Sequence, residues 1–245
     1  MRSVNRRARR LVPAALVLGV LPLGVVAGAG PVQPTYVADA SVAREPVAAP
    51  PAPVPVVAAV SGPDAVAGIV TRVVPPVGTG VFTVVPGSTS APVPGVVRTV
   101  RVEVEDGLPI DPAAFARFVM RTLNDPRGWG RDATFTRTVG EAEIVVRLAG
   151  PDTTARLCAP IDTGGPLSCR SGPDAVVNHQ RWVEGHPDYR GDLTGYRRYV
   201  VNHEVGHLLG LGHVECPGIG APAPVMQQQS LGLLGCAPNP WPYPG

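Results

Sequence analysis

Hydrophobic and polar residues alternate in the middle of the chain. Residues 97–104 read Val-Arg-Thr-Val-Arg-Val-Glu-Val, which is the two-residue period of a strand with one buried face. Shorter segments bounded by turn residues predict further strands at residues 80–85, 134–139, 143–148 and 175–182. Residues between the last two strands are rich in Gly and Pro, which predicts a loop. The pattern therefore predicts a sheet of several short strands.

Two other segments have the three-to-four-residue spacing of helices. The first begins with an N-cap at Asp111 and a first-turn proline at Pro112, and it ends before Pro126. Its apolar face is formed by Phe115, Phe118, Val119 and Leu123. The second helix runs over residues 193–209, with Asp192 as its N-cap. Helices and strands in a chain of 245 residues predict one domain of the α+β class.

The first thirty residues have the composition of an export signal. Five arginines precede an apolar stretch at residues 11–26, which ends in Ala27-Gly28-Ala29. Residues 1–30 therefore predict a cleaved signal peptide, which the prolines in the stretch favour. The alternative is an uncleaved membrane anchor, since about 20 apolar residues can span a bilayer. Both interpretations place the remainder outside the cytoplasm, secreted or in the cell envelope.

Proline, alanine and valine dominate residues 31–77. Such a composition favours extended polyproline conformations without a hydrophobic core. We expect a disordered tether here and a folded domain over residues 78–245, which is loop-like after Gly210. The domain is expected to be a monomer, with a possible membrane tether through its N-terminal segment.

The net charge of +2 comes from the arginines of the export segment. Without those five, the chain has 16 basic and 19 acidic residues, a net charge of −3. A mildly acidic domain without a basic run lacks the electrostatic footprint of a nucleic-acid-binding protein. We therefore expect neither DNA nor RNA as a partner.

Four cysteines follow the tether, and an even number in an exported chain predicts disulfides. Three pairings are possible. We favour the local one, Cys158 with Cys169 and Cys216 with Cys236. A structural zinc site built from all four thiolates is the rival, but the chain has no C-x-x-C pair to support it.

The chemistry-bearing motif is H-E-x-x-H-x-x-G-x-x-H, over residues 203–213. At about 100° per residue, His203 and His207 lie on one face of a helix, one turn apart, and can share a cation. His213 would face away if the helix continued, so the helix must end at Gly210, where glycine accepts a left-handed conformation. Three neutral imidazoles then predict one Zn²⁺ with an open fourth position. Glu204 is the predicted catalytic base, since it can take a proton from a water and pass it to a leaving amine.

This motif, with Ala223-Pro224-Val225-Met226 after it, resembles the metzincin clan of zinc peptidases. More closely, the segment from about Gly78 to the C-terminus resembles a poorly characterised exported metzincin-like family of high-G+C bacteria. The resemblance implies a twisted mixed sheet packed on a long active-site helix, with an irregular C-terminal subdomain. It also implies that Met226 packs beneath the metal as the methionine turn.

One position departs from the metzincin pattern. Some members carry a tyrosine two residues after the methionine that assists the transition state, and Gln228 stands there instead. The amide N–H of Gln228 is a possible donor to a developing oxyanion, as an alternative to a hydrogen bond within its own loop. Nothing in the sequence identifies the side chains that form the cleft pockets.

The remaining histidines, His179 and His186, lie among Pro, Gly and charged residues, which predicts surface positions. Residues 176–182 are a candidate for the strand that borders the cleft and pairs with an extended substrate. Taken together, the sequence predicts an exported zinc endopeptidase that hydrolyses peptide bonds. The alternatives are a catalytically silent zinc-containing binding module of the envelope and a structural envelope protein.

Overall fold

A computed structural model of the protein describes residues 60–244. The predicted export segment at residues 1–30 and the first part of the predicted tether, residues 31–59, lie outside the described residues. Among the helices at residues 60–244, none is long and apolar enough to cross a bilayer.

A mixed sheet of six strands lies at the centre of the domain. The strands are β1 Phe82–Val84, β2 Val97–Glu105, β3 Thr134–Arg137, β4 Ile144–Ala149, β5 Cys169–Ser171 and β6 Asp174–Asn178. Their order is β1-β2-β4-β6-β5, with β3 also paired to β2. Strands β2, β3, β4 and β6 are parallel, whereas β1 and β5 are antiparallel to their neighbours. The predicted α+β class is confirmed.

The alternation along β2 separates the two faces of the sheet. Val100, Val102 and Val104 are buried in the main core. On the other face, the Glu103 carboxylate accepts hydrogen bonds from Arg101 at 2.7 Å and from Arg147 at 2.6 Å. A strand with one apolar and one charged face has only one register that buries its valines.

Within residues 60–244, five α-helices accompany the sheet: α1 Pro63–Val66, α2 Pro112–Leu123, α3 Pro151–Cys158, α4 His179–Glu184 and α5 Leu193–Leu208. The two predicted N-caps are confirmed. Asp111 accepts from the backbone N–H groups of Ala113 and Ala114, and Asp192 accepts from that of Gly195. These bonds satisfy donors that the first helical turn cannot pair internally.

The sequence-based prediction was wrong at α3 and α4. Residues assigned to a loop form α3, which starts with Pro151 in its first turn, a position that proline favours. The strand predicted at residues 175–182 ends at Asn178, because the Asn178 side chain caps α4 by accepting the N–H of Gln180 at 2.9 Å. Pro151 was assigned to a loop where it begins a helix, and Asn178 was assigned to the middle of a strand where it caps a helix.

The predicted tether boundary at residue 77 was also wrong. Ala67 and Ile69 are buried in the core, and the Ala67 carbonyl accepts the indole N–H of Trp182 at 3.0 Å. Asp64 forms a buried ion pair with Arg197 of α5 at 2.6 Å. Residues 60–77 therefore pack on the domain. Their composition, which is rich in Ala and Val, is compatible with burial as well as with an extended tether.

The two local disulfides are confirmed. Cys158–Cys169 joins the end of α3 to β5, and Cys216–Cys236 closes a loop of the chain after α5. We call residues 210–244 the C-terminal segment. It contains neither a helix nor a named strand, as the sequence predicts, and its one β-bridge pairs Pro222 with Ala237.

Candidate metal centre and cleft

Three histidine side chains converge at the C-terminal end of α5. The Nε2 atoms of His203 and His207 are 3.2 Å apart, as expected for residues one turn apart on one helix face. The Nε2 atoms of His207 and His213 are 3.1 Å apart. The three candidate ligand atoms all lie within 4.8 Å of one another, so the triad can bind a single metal ion.

The end of α5 directs His213 back to the helix. Gly210 has a φ of 91°, and the amide N–H of Leu211 donates to the Gly206 carbonyl at 3.0 Å. The Gly210 N–H donates to the His207 carbonyl at 3.2 Å. These two bonds form the Schellman motif that ends many helices at a left-handed glycine. The predicted helix end at Gly210 is thereby confirmed.

Backbone carbonyls set the protonation of the two helical rings. His203 Nδ1 lies 2.9 Å from the Val225 carbonyl, and His207 Nδ1 lies 2.9 Å from the Leu211 carbonyl. A carbonyl only accepts, so each Nδ1 must carry the proton, and each neutral ring then has a bare lone pair on Nε2. Two lone pairs that face each other at 3.2 Å repel unless a cation lies between them.

The spacing of these nitrogens fits a tetrahedral site. Zinc–nitrogen bonds of about 2.0–2.1 Å place the nitrogens of a tetrahedron about 3.3–3.4 Å apart. The two shorter Nε2 separations, 3.1 and 3.2 Å, are close to that value. The carbonyl partners at Nδ1 are those that usually orient a metal-binding histidine. The donor set therefore fits one metal ion that accepts nitrogen ligands.

Burial favours the neutral form of His203 and of His213. Desolvation lowers the pKa of His203 to about 3. The neighbouring His207 and His213 rings lower this pKa further, and the hydrogen bond that His203 donates to the Val225 carbonyl opposes them. Partial burial and His207 likewise lower the pKa of His213. Neutral imidazole is the form that binds a metal, so the site is prepared for a cation at neutral pH.

Glu204 follows the first histidine and borders the same cleft. Its side chain is 5% exposed, and burial raises its pKa to about 8. A cation held by the adjacent imidazoles would act in the opposite direction, because a nearby positive charge favours the carboxylate. Glu204 is thus a carboxyl group whose protonation depends on what the triad holds.

Met226 packs against α5 at Gly206. A Cβ at Gly206 would overlap the Met226 Sδ and lie 3.0 Å from the Trp129 ring. The Met226 carbonyl accepts the N–H of Val214, one residue after His213, at 3.2 Å. The glycine in the motif therefore leaves space for the methionine side chain, and the Met226 backbone holds the residue that follows the third histidine.

A network of neutral side chains holds the C-terminal segment on α5. The Tyr199 hydroxyl donates to the Gln227 carbonyl at 3.1 Å and accepts the Gln229 N–H at 2.9 Å. Gln229 is fully buried, and its carbonyl oxygen accepts from the Tyr189 hydroxyl and from the N–H of Asn239. Sequence inspection missed this network, since nothing local distinguishes a buried Gln229 from the exposed Gln228.

The cleft in front of the triad has a volume of about 570 Å³. Besides the histidines, Glu204 and Gln228, it is lined by residues of the disulfide-closed loop, of β5 and of the C-terminal segment: Ile161, Asp162, Thr163, Leu167, Ser168, Cys169, Arg170 and Leu231. Gln228 is exposed, so its side chain can reach a bound molecule. The triad is therefore open to a large ligand.

The strand that borders the cleft is β5, which corrects the prediction for residues 176–182. β6 is paired on both sides, with β4 and with β5. Among the described strands, β5 ends the order and pairs only with β6. One edge of Cys169–Ser171 is therefore open for pairing with an extended chain. The order of strands in the sheet, and not the composition of the strand, determines this.

The surface prediction for His179 was wrong. His179 is fully buried, and neither ring nitrogen has a hydrogen-bond partner within the described residues. Desolvation lowers its pKa to about 4, against the opposing charge of Glu105. His186 is half-buried, and its Nδ1 accepts the N–H of Asp188 at 3.3 Å. Polar sequence neighbours gave no warning, because the adjacent Asn178 is polar and fully buried as well.

Residues 71–235 match the model of a protein family described as "Protein of unknown function (DUF3152)". The matched range includes the triad, Glu204 and Met226 and covers more than half of the chain. Comparison with curated proteins and with solved structures finds no match.

Proposed function

The chain belongs to the DUF3152 family, and we propose that this member is an exported zinc-dependent endopeptidase. One observation carries the proposal: three imidazole rings converge beside a buried glutamate at the wall of an open cleft. Three protein ligands with space in front of them distinguish catalytic zinc sites from structural ones, which have four.

Zinc is the metal best suited to this donor set. Imidazole nitrogens suit zinc, copper, iron and nickel, while calcium and magnesium prefer oxygen ligands. No methionine sulfur or cysteine thiolate of the described residues belongs to the triad, since the cysteines are paired in disulfides and Met226 packs on the helix. The likeness of residues 203–226 to the metzincin motif and methionine turn supports the same choice.

In the proposed peptide hydrolysis, the residues of the cleft have separate chemical roles. A bound zinc ion would polarise the substrate carbonyl and acidify a water molecule. Glu204 takes a proton from that water as the water oxygen attacks the carbonyl carbon. It then delivers the proton to the amine nitrogen as the C–N bond breaks. Gln228 lines the same cleft, and its amide would donate a hydrogen bond to the carbonyl oxygen as that oxygen gains negative charge.

The open edge of β5 favours an extended peptide as the substrate. Backbone groups of an edge strand pair with a peptide irrespective of its side chains, and pockets beside the edge then select among sequences. Cys169 and Arg170 of β5 line the same cleft as Glu204. A peptide paired with β5 would therefore run past the triad.

Two disulfides support a location outside the cytoplasm. Disulfides persist in oxidising compartments and are rare in the cytosol. Together with the composition of residues 1–30, they favour a protein that is secreted or held in the cell envelope.

Glu204→Gln is the test, because it keeps the size of the side chain and removes the base. We expect about one zinc per chain in both proteins and a decrease in kcat of about 10²- to 10⁴-fold in the variant, measured on a broad peptide library. Glu215→Gln is the matched control, since Glu215 is an exposed carboxylate close to His213 and should leave cleavage near the wild-type rate.

Two results would contradict the proposal in different ways. Zinc bound at one equivalent with no Glu204-dependent cleavage would favour a zinc-containing binding module of the envelope. A wild-type protein that binds no zinc would remove the metal centre altogether.

A further inference from the structure

The three histidines of the triad differ in how firmly the surrounding structure positions their rings. His203 and His207 belong to α5, and each ring donates Nδ1–H to a backbone carbonyl at 2.9 Å. His213 is exposed and lies in irregular backbone, and its Nδ1 has no hydrogen-bond partner within residues 60–244. Something other than a helix or an orienting acceptor must keep this ring near the other two.

The backbone on either side of His213 has few hydrogen bonds of its own. The Schellman motif ends at Leu211. From there to Cys216, the described structure has one backbone N–H in a hydrogen bond, that of Val214 to the Met226 carbonyl. The next covalent restraint is the disulfide from Cys216 to Cys236, three residues after His213.

Cys236 lies in a buried, hydrogen-bonded part of the C-terminal segment. It is 6% exposed, and its N–H donates to the Leu233 carbonyl at 2.9 Å. The next residue, Ala237, exchanges backbone hydrogen bonds of 2.8 Å with Ala221 and Ala223. Two residues further, Asn239 joins the buried Gln229 network that is attached to α5 through Tyr199.

We propose that the Cys216–Cys236 disulfide is a positioning element of the metal centre, which acts by holding His213 against the two helical histidines. Because hydrogen bonds hold Cys236 and Ala237, the disulfide restrains the segment before Cys216, which lacks secondary structure. The inference rests on the proposed metal centre, but not on peptide cleavage. The other disulfide, Cys158–Cys169, borders the cleft without bounding a ligand segment and has no such role.

Zinc affinity is the readout that tests the disulfide. We expect Cys216→Ser/Cys236→Ser to weaken zinc binding by about 10- to 100-fold, the usual loss when a group that orients a metal ligand is removed. The affinity is measured on the purified exported protein by competition with a chromogenic chelator. Cys158→Ser/Cys169→Ser is the matched control and should bind zinc with an affinity near that of wild type.

A variant that keeps the disulfide covers the case in which its removal prevents folding. Two glycines inserted between Glu215 and Cys216 lengthen the connection to His213 while the cysteines remain paired. We expect this insertion to weaken zinc binding as well. Wild-type affinity in the insertion variant would overturn the proposal.

A double-mutant cycle separates positioning from general stability. In a His213→Ala background, loss of the disulfide should weaken zinc binding no further, because the ring it positions is absent. If removal of the disulfide lowers zinc affinity equally with and without His213, the proposal is overturned. Equal losses of zinc affinity in the two disulfide variants would also overturn it. Failure of wild type to bind zinc would instead defeat the proposed function.

Discussion

The sheet-and-helix part, residues 60–209, and the C-terminal segment bury different kinds of polar groups. The first part buries ionisable side chains besides neutral ones, and some of them pair with residues distant in the sequence, as Asp64 does with Arg197. The C-terminal segment buries neutral amides: Gln227, Gln229 and Asn239. Regular elements satisfy their own backbone and leave side chains free to pair charges, whereas irregular backbone uses side-chain amides to complete its hydrogen bonds. The metal centre lies where the two parts meet.

The largest expected effect tests the buried ion pair of the first part. Asp64→Asn leaves the fully buried Arg197 guanidinium without its counterion, and we expect it to lower the free energy of unfolding by about 3–5 kcal/mol. Arg72→Gln is the control. Arg72 pairs with the same carboxylate, but its side chain is 50% exposed, so its loss should cost about 1 kcal/mol or less. Urea denaturation measures both, and equal effects would show that burial does not govern this pair.

A second effect uses the buried ring of His179. Burial holds its folded-state pKa at about 4, against about 6.5 in the unfolded chain, so the unfolded chain binds more protons between these values. The stability contributed by the neutral ring is complete above pH 6.5 and is lost as the pH falls toward 4, by about 3 kcal/mol.

His179→Leu should remove this part of the pH dependence. The difference between the wild-type and variant curves of unfolding free energy against pH isolates His179, since His203 titrates in both proteins. Parallel curves between pH 6.5 and 4 would refute the assignment. Because neither ring nitrogen has a partner among the described residues, we expect the variant to lose little stability at neutral pH.

A third effect tests the amide network of the C-terminal segment. Gln229→Ala removes the acceptor of the Tyr189 hydroxyl and of the Asn239 N–H, and leaves both buried without a partner. We expect a loss of about 2–3 kcal/mol in the free energy of unfolding. The adjacent Gln228→Ala should change it by about 0.5 kcal/mol or less, because Gln228 is exposed. Similar losses from the two neighbours would mean that the network does not hold the segment.

The smallest effect lies at the junction of the two parts. Gly206→Ala places a methyl group against Met226, and overpacking of this kind costs about 1–3 kcal/mol. Alanine recovers about 1 kcal/mol of that as a better helix former, so we expect a net loss of about 1 kcal/mol. Gly212→Ala meets no atom within 4 Å and should be neutral. Thermal unfolding of both variants, with zinc content, checks this contact.

Strands and helices with a strong local pattern were predictable. β2, α2 and α5 follow from alternation, helical spacing and N-caps at Asp111 and Asp192. The pattern was too weak at α3, where Pro151 starts a helix of eight residues that composition alone presents as a loop. The same limit applies to residues 60–77, whose burial depends on Trp182 and Arg197 far along the chain.

For the metal centre, the sequence by itself determined the convergence of His203 and His207 and the helix end at Gly210, because helical periodicity and the left-handed preference of glycine are local properties. It also determined the local pairing of the cysteines as the favoured one. Only the tertiary structure decided which carbonyls orient the rings, that β5 is the cleft edge, and that Gln229 is buried while Gln228 is exposed. Those features depend on residues brought together across the fold, and no spacing along the chain encodes such contacts.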